Sequence, residues 1–235
     1  MEKKDKHQLT AALVRCFFRG FTAGILDAQT TDEKQRRDPK SVKQMMLEHY
    51  EHIAPAFLDA MFYPVAVMNH SYEQVAAIVA EAQANSLSMM DLLRKVCAGE
   101  AHYAVVVDEY KRNFSALLAG RTPSLDEYFS TVVAPDEPQH GSVGTDQAIR
   151  LSIRMVMNSY AAGLRQVSSQ SAALRNATLF VLMLDAMNVL LCEAPESFDD
   201  SDDLSAMFMK VCRSQHNFEV MTSEMDSAYT ELSEQ

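Results

Sequence analysis

The sequence predicts an all-α protein, a multi-helix bundle, on three observations. Apolar residues recur at helical spacing, and no segment sustains the alternation of apolar and polar residues that is typical of a strand. The periodic segments are rich in Ala, Leu, Met, Glu, Gln and Lys, which lose least on entering a helix. The seven Gly and seven Pro fall mostly between those segments.

The first three helices are predicted from apolar spacing and from proline. A first helix is expected from about Gln8 to Gln29, and a second from Lys40 to the residue before Pro55. The residue before a proline is pushed out of the α region, so the second helix should end there. A third helix is expected from Pro55 to Asn69.

The next helices are marked by caps and by glycine. The segment Ser71–Gln74 has the form of a capping box, and Ser88–Asp91 is a looser version of it. The second cap opens a long helical segment to Ala119, which Gly99 interrupts. A short helix with proline in its first turn is expected over residues 123–133.

Two prolines and two glycines in residues 134–144 make this stretch the best linker in the chain. The sequence therefore divides into an N-terminal half, 1–134, a linker, 135–144, and an acidic C-terminal half, 145–235, with one compact domain as the alternative. Helices in the second half are expected over 145–167, 171–193, 203–215 and onward to Leu232.

Three landmarks occur twice in the same order, which predicts two related helical halves. The matched segments are Val14–Ile25 with Ile153–Leu164, Leu58–Met61 with Leu184–Met187, and Lys95–Cys97 with Lys210–Cys212. The offset in residue number falls from 139 to 126 to 115 along the chain. A duplication therefore requires that the second half be shorter by a helix or two.

Small residues stand one helical turn apart in both copies of the first landmark, as Gly20 with Gly24 and Ser159 with Gly163. Such a face lets another helix backbone approach closely, since no side chain holds it away. We expect these residues to have a structural role and the two copies to pack against each other around a pseudo-twofold axis.

Four charged residues lie within apolar runs: Arg15 and Asp59 in the first half, and Arg154 and Asp185 in the second. An unpaired buried charge is costly, so we expect Arg15 to pair with Asp59 and Arg154 to pair with Asp185. The alternative is that all four side chains extend to the surface.

The charge distribution indicates the class of partner. The net charge is −11, and residues 193–235 hold eleven acidic residues against two basic ones, a local balance of −9. Nucleic-acid phosphates repel such a surface, so a basic or amphipathic protein is the expected partner. The alternative is that the acidic tail only keeps the chain soluble.

The expected compartment follows from three features of the sequence: its cysteines, its longest apolar stretch and its N-terminus. Cys16, Cys97, Cys192 and Cys212 stand singly, which is typical of reduced core thiols. The longest apolar stretch, 177–192, is too short to span a bilayer, and the N-terminus has no convincing signal-peptide cleavage site. We expect a cytoplasmic protein without a cofactor or a membrane span, with non-classical secretion left open.

The densest set of potential metal ligands is residues 48–52, where His49 and His52 stand three apart on one helix face. Helical-bundle metal sites carry a Glu-x-x-His on each of two helices, and that spacing is not met here. A metalloenzyme using these two histidines with carboxylates of other helices is one alternative function; a solvated helix face is the simpler interpretation.

Fifteen methionines suggest an adaptable binding surface. One candidate is the face of Met89 and Met90. The preferred candidate is an apolar strip beside acidic residues, formed by Met207, Phe208, Met209, Asp199, Asp200, Asp202 and Asp203. The sequence thus favours a protein–protein interaction module, such as an adaptor, a secretion chaperone or a neutralising partner. A structural subunit of a larger complex is a further alternative, and a homodimer or larger assembly remains open.

Overall fold

The computed structural model describes residues 3–32, 34–35, 38–119, 143–167, 176–191 and 204–233. Within these residues the protein forms ten helices and no strand, so the all-α prediction is confirmed. The helices are α1 Lys3–Gln29, α2 Pro39–Glu48, α3 Tyr50–Asn69, α4 Tyr72–Ala84, α5 Met89–Val96, α6 Glu100–Leu118, α7 Val143–Val167, α8 Asn176–Leu191, α9 Leu204–Cys212 and α10 Gln215–Ser233.

The boundary between α2 and α3 lies at His49, so the predicted break before Pro55 is wrong. His49 is non-helical, with φ −118° and ψ 11°. The helix α3 continues through Pro55 and Pro64, although a proline inside a helix costs about 3 kcal/mol. Ile53 and Phe57, on either side of Pro55, are buried, and each contributes about 1.5–3 kcal/mol. Burial of the apolar face therefore outweighs the lost hydrogen bond.

The caps between α3 and α6 form as predicted. The Ser71 amide donates to the Gln74 side chain at 2.8 Å, and the Gln74 amide donates to the Ser71 hydroxyl at 3.4 Å. The Ser88 hydroxyl likewise accepts from the Asp91 amide at 3.2 Å. Gly99 separates α5 from α6 with φ +89°, a conformation that favours glycine.

The described part of α7 begins at Val143, two residues before the predicted start of this helix. Val143 and Gly144 were expected in the linker 135–144 but are helical. The rest of that linker and the helix predicted over 123–133 lie outside the described residues.

The helices α1 and α7 cross with their backbones in contact. A Cβ atom built on Gly24 would lie 2.2 Å from the Tyr160 carbonyl oxygen, and one on Gly163 would lie 2.2 Å from the Phe21 carbonyl oxygen. At Gly20 it would lie 2.1 Å from the Ser159 hydroxyl. Only residues without a side chain permit this approach.

The core is built around α1, which packs against helices of both halves. Its buried side chains join those of α7, α3 and α8 in one apolar cluster. Phe17, Phe18 and Phe21 lie at its centre, and Phe57 and Tyr110 pack against Phe17 and Phe18 at ring distances of 5.3–6.0 Å. Such aromatic pairs add to the energy of apolar burial.

Among the described residues, one helix segment, Lys6–Gln29 of α1, is long and apolar enough to cross a membrane. Of its most apolar window, 83% is buried within the fold, and a central core helix has the same length and composition.

The partner of Arg15 is Glu109 of α6, so the expected pairing of Arg15 with Asp59 is wrong. Two parallel hydrogen bonds of 2.9 Å join the guanidinium to the carboxylate, and both side chains are buried. Arg112 also contacts this carboxylate, at 3.2 Å. Asp59 is exposed on α3, where water solvates its charge.

In the second half Arg154 pairs with Glu224 and Glu231 of α10, which differs from the expected pairing with Asp185. The buried Glu224 also accepts from Arg150 at 2.8 Å. The side chain of Asp185 lies outside the described part of the structure. In both halves, therefore, the arginine of the first landmark binds a glutamate on the last described helix of that half.

Replacing Gly24 by alanine should destabilise the fold, because the added methyl group would overlap the α7 backbone. We expect the free energy of unfolding to fall by about 3 kcal/mol, although alanine is the better helix former. Urea unfolding followed by circular dichroism measures the change. Ser115→Thr adds one methyl group on the exposed face of α6 and serves as the control. Equal stability of Gly24→Ala and the natural protein would contradict the close crossing.

Replacing Glu109 by glutamine should remove the carboxylate charge that accepts two hydrogen bonds from the buried Arg15 guanidinium. We expect a loss of about 3–5 kcal/mol in the free energy of unfolding. The matched control is Glu100→Gln, which breaks the exposed ion pair with Arg94, a bond of 2.8 Å. Because water screens that pair, its loss should change stability little. Similar effects of the two substitutions would show that the Arg15–Glu109 pair does not stabilise the packing of α6 on α1.

Candidate binding cleft

A cleft of about 660 Å³ lies between α3 and α7 and is open to solvent. Its volume is in the range that holds a small molecule or a few side chains of a partner. The end of α10 contributes Leu232. The α3 wall is lined by His52, Pro55, Ala56, Asp59, Ala60, Tyr63 and Pro64.

The α3 wall combines small apolar residues with groups that accept hydrogen bonds. Ala56 and Ala60 lie one turn apart and leave the space that larger residues would fill. Asp59 lies beside them, is exposed, and has no ion pair with any described residue. Tyr63, one turn further along, is 62% exposed. This wall therefore offers a carboxylate and an aromatic ring to a ligand.

The opposite wall, on α7, carries donors. Arg154, Asn158 and Arg165 line it, together with the apolar side chains of Leu151 and Met155. The hydrogen bonds that Arg154 donates to Glu231, and then to Glu224, hold the pKa of Arg154 above its ordinary value. Because two carboxylates neutralise Arg154, the cation at this position is already compensated within the fold.

The buried thiols do not provide a nucleophile for this cleft. Cys97 and Cys212 are buried, and desolvation raises the pKa of each thiol to about 12. A thiol with such a pKa is protonated at neutral pH and is a poor nucleophile. Cys16 is buried as well, and Cys192 lies outside the described residues.

The two histidines considered as metal ligands lie at the junction of α2 and α3, with ring centroids 6.5 Å apart. His49 Nε2 is 3.0 Å from the side-chain amide nitrogen of Gln29, which also donates to Glu48. Desolvation is the main cause of the lowered pKa of His49. His52 lines the cleft. No three His, Cys, Asp or Glu side chains cluster as a metal site in the described part of the chain.

The two methionine surfaces differ in exposure. Met89 and Met90 are 41% and 48% exposed at the start of α5. Met207 and Met209 are half-buried on α9, and the side chain of Phe208 is not among those described. The acidic residues of the second surface, Asp199, Asp200, Asp202 and Asp203, lie outside the described residues.

The cleft as a site was missed by sequence reasoning, which assigned structural roles to Asp59 and Arg154. Tyr63, Asn158 and Arg165 were not singled out. A usable signal was present on α3, where small and polar residues share one face at helical spacing: His52, Ala56, Asp59, Ala60 and Tyr63. That spacing does not reveal whether another helix covers the face.

A second polar cluster surrounds His102, which is fully buried where α6 meets α1 and α3. The Ala98 amide donates to His102 Nδ1 at 3.1 Å, so Nε2 carries the hydrogen and donates to the Thr10 hydroxyl at 2.6 Å. The ring of His7 stacks on it at 5.1 Å. Desolvation, followed by the nearby His7 and Lys6, lowers the pKa of His102 to about 4. His102 is therefore a neutral structural residue at pH 7.

Compared with protein-family models, with curated proteins and with solved structures, this chain matches none.

Burial of neutral His102 should make the fold sensitive to acid. Unfolding raises its pKa from about 4 to about 6.5, so protonation favours the unfolded chain. Stability should be lost as the pH falls from about 6.5 to about 4, by at most about 3 kcal/mol. Urea unfolding at a series of pH values measures this slope.

The test variant is His102→Asn, which cannot bind a proton, and His52→Asn on the exposed face of α3 is its control. Only the first should flatten the slope. If His102→Asn keeps the full acid sensitivity, other groups are responsible for it.

Proposed function

We propose that this protein binds a basic or amphipathic segment of another protein, as an adaptor, a secretion chaperone or a neutralising partner does. The cleft between α3 and α7 is the binding site in this proposal. The observation that carries it is an open cleft with apolar residues along both walls and a carboxylate, Asp59, that no described residue pairs. Because such a carboxylate needs no rearrangement to meet a cation, the cleft is prepared for a basic ligand.

The form of the cleft supports a segment of a protein as the ligand. An amphipathic helix binds by laying its apolar face into a groove between helices. Ala56 and Ala60 on one wall and Ala162 on the other leave room for the apolar side chains of such a helix. The net charge of −11 attracts a basic segment over a distance and increases its rate of association.

The face of Met89 and Met90 is a second surface on which a partner could rest. Both side chains are exposed at the start of α5, and methionine adapts its shape to different ligands. Met207 and Met209 are half-buried, so these two side chains expose a smaller fraction of their surface than Met89 and Met90. The exposure of the methionines therefore favours the α5 surface over the α9 surface as a supplementary contact.

The proposal also includes an architecture of two related halves, in which α1, α3, α5 and α6 correspond to α7, α8, α9 and α10. Helix bounds support it, because α6 and α10 begin 115 residues apart. The buried glutamates support it too, because Glu109 and Glu224 also differ by 115. In this scheme α2 and α4 are additions to the first half.

Filling the cleft should abolish binding of a basic amphipathic helix. The probe is a fluorescent peptide in which Leu recurs at helical spacing and Lys fills the other face of the helix. A peptide of the same pattern with Glu in place of Lys is its comparison. We expect the full chain to bind the Lys peptide and Ala60→Phe to lose at least tenfold in affinity by fluorescence anisotropy, because the ring occupies the cleft.

Ala80→Phe places the same ring on the exposed face of α4 and is the control. Ala56→Leu, a smaller obstruction, repeats the test, and circular dichroism reports whether each variant folds. Equal binding of the two peptides, or binding that both cleft substitutions leave unchanged, would overturn the assignment of the cleft.

A further inference from the structure

We propose that the α3 wall of the cleft is a cation site for the ammonium or guanidinium group of one lysine or arginine side chain on the bound segment. This inference rests on the proposed function and states which chemical group the cleft recognises. Its basis is the placement of Asp59, Ala60 and Tyr63 within about one turn of α3, on the face that lines the cleft.

Asp59 supplies the charge of the site. Its carboxylate is exposed and has no ion pair with a described residue, so both oxygens are available to a donor. A hydrogen bond between a cation and a carboxylate is roughly twice as strong as one between neutral groups. The neighbouring alanines keep bulky side chains away from it.

The Tyr63 ring completes the site. It lies one turn after Asp59, lines the cleft and is 62% exposed. A cation over an aromatic face is attracted by the negative potential of the ring. The alanine methyl groups of the wall contact the methylene stem that carries the cation, which favours a long basic side chain over a small inorganic ion.

The other charged groups of the cleft determine which wall the cation occupies. Arg154 and Arg165 lie on the α7 wall, and His52 lies nearer the start of α3. Glu224 and Glu231 neutralise Arg154, so it does not cancel the attraction of Asp59. Asp59 therefore directs a basic side chain toward α3, which gives the bound segment one preferred placement.

The test uses the full chain and a helical Leu peptide with a single central Lys, compared with the same peptide carrying norleucine or Arg at that position. We expect Lys and Arg to bind at least about tenfold more tightly than norleucine by isothermal titration calorimetry. Asp59→Asn should remove that preference, and Asp59→Glu should retain most of it. Asp108→Asn, which removes an exposed carboxylate of α6, should have no effect.

The aromatic contribution is tested separately. Tyr63→Phe keeps the ring and should retain the preference for Lys, whereas Tyr63→Leu should weaken binding of the Lys peptide by about threefold. Equal effects of the two substitutions would exclude a role for the ring face.

The outcomes separate this inference from the proposed function. If the peptides bind in the cleft but Lys and norleucine bind equally, the cation site is wrong and protein binding stands. If hexylammonium shifts the amide resonances of α3 in an Asp59-dependent manner but no peptide binds, the cation site stands and the proposed function fails. If neither the peptides nor hexylammonium bind, both are overturned.

Discussion

The fold depends on the contact between the α1 and α7 backbones at Gly20, Gly24, Ser159 and Gly163. Any side chain at Gly24 or Gly163 would meet backbone atoms of the other helix, which cannot move aside as a flexible side chain can. The crossing therefore fixes the axes of the two central helices, and α2, α3, α6, α8 and α10 pack directly on this pair. Because α1 and α7 belong to different halves of the chain, their contact also joins the two halves into one apolar core.

The last described helix of each half, α6 or α10, is fixed to this central pair by charge as well as by apolar burial. Arg15 binds Glu109 on α6, and Arg154 binds Glu224 on α10. A buried ion pair contributes little net stability, yet one partner alone would be costly, so the pairs penalise any other register of α6 and α10. This pairing also explains why Asp59 has no arginine partner among the described residues. Glutamates on α6 and α10, and not the aspartate of α3, satisfy the arginines, and Asp59 is left to face the cleft.

The sequence predicts the local structure well and the side-chain pairing poorly. Helical spacing is enough for the all-α class, and the caps at Ser71 and Ser88 and the break at Gly99 depend on neighbouring residues only. The boundary at Pro55 fails because tertiary burial of Ile53 and Phe57 offsets the cost of a proline. The partner of Arg15 is 94 residues away, and several acidic residues at similar positions compete for it. The cleft exists because α3 and α7 do not pack closely along one seam. That depends on how two distant helices meet, so neither segment predicts it alone.

The cleft opens at one of two seams that correspond in the proposed duplication, and the sequence difference between them accounts for it. At the α1–α8 seam the buried Asp27 accepts hydrogen bonds from Tyr160 at 2.7 Å and from Thr178 at 2.6 Å, and so holds α8 against the central pair. At the α7–α3 seam the corresponding residues are Gln166, Phe21 and His52. Phe21 has no hydroxyl group to donate, and Gln166 is neutral. The α7–α3 seam therefore lacks a carboxylate that joins three helices, as Asp27 does at the α1–α8 seam. Gln166 and His52 instead both line the cleft. The contacts of Asp27 thus hold α8 against the central pair at one seam, and the corresponding seam, which lacks them, has the open cleft.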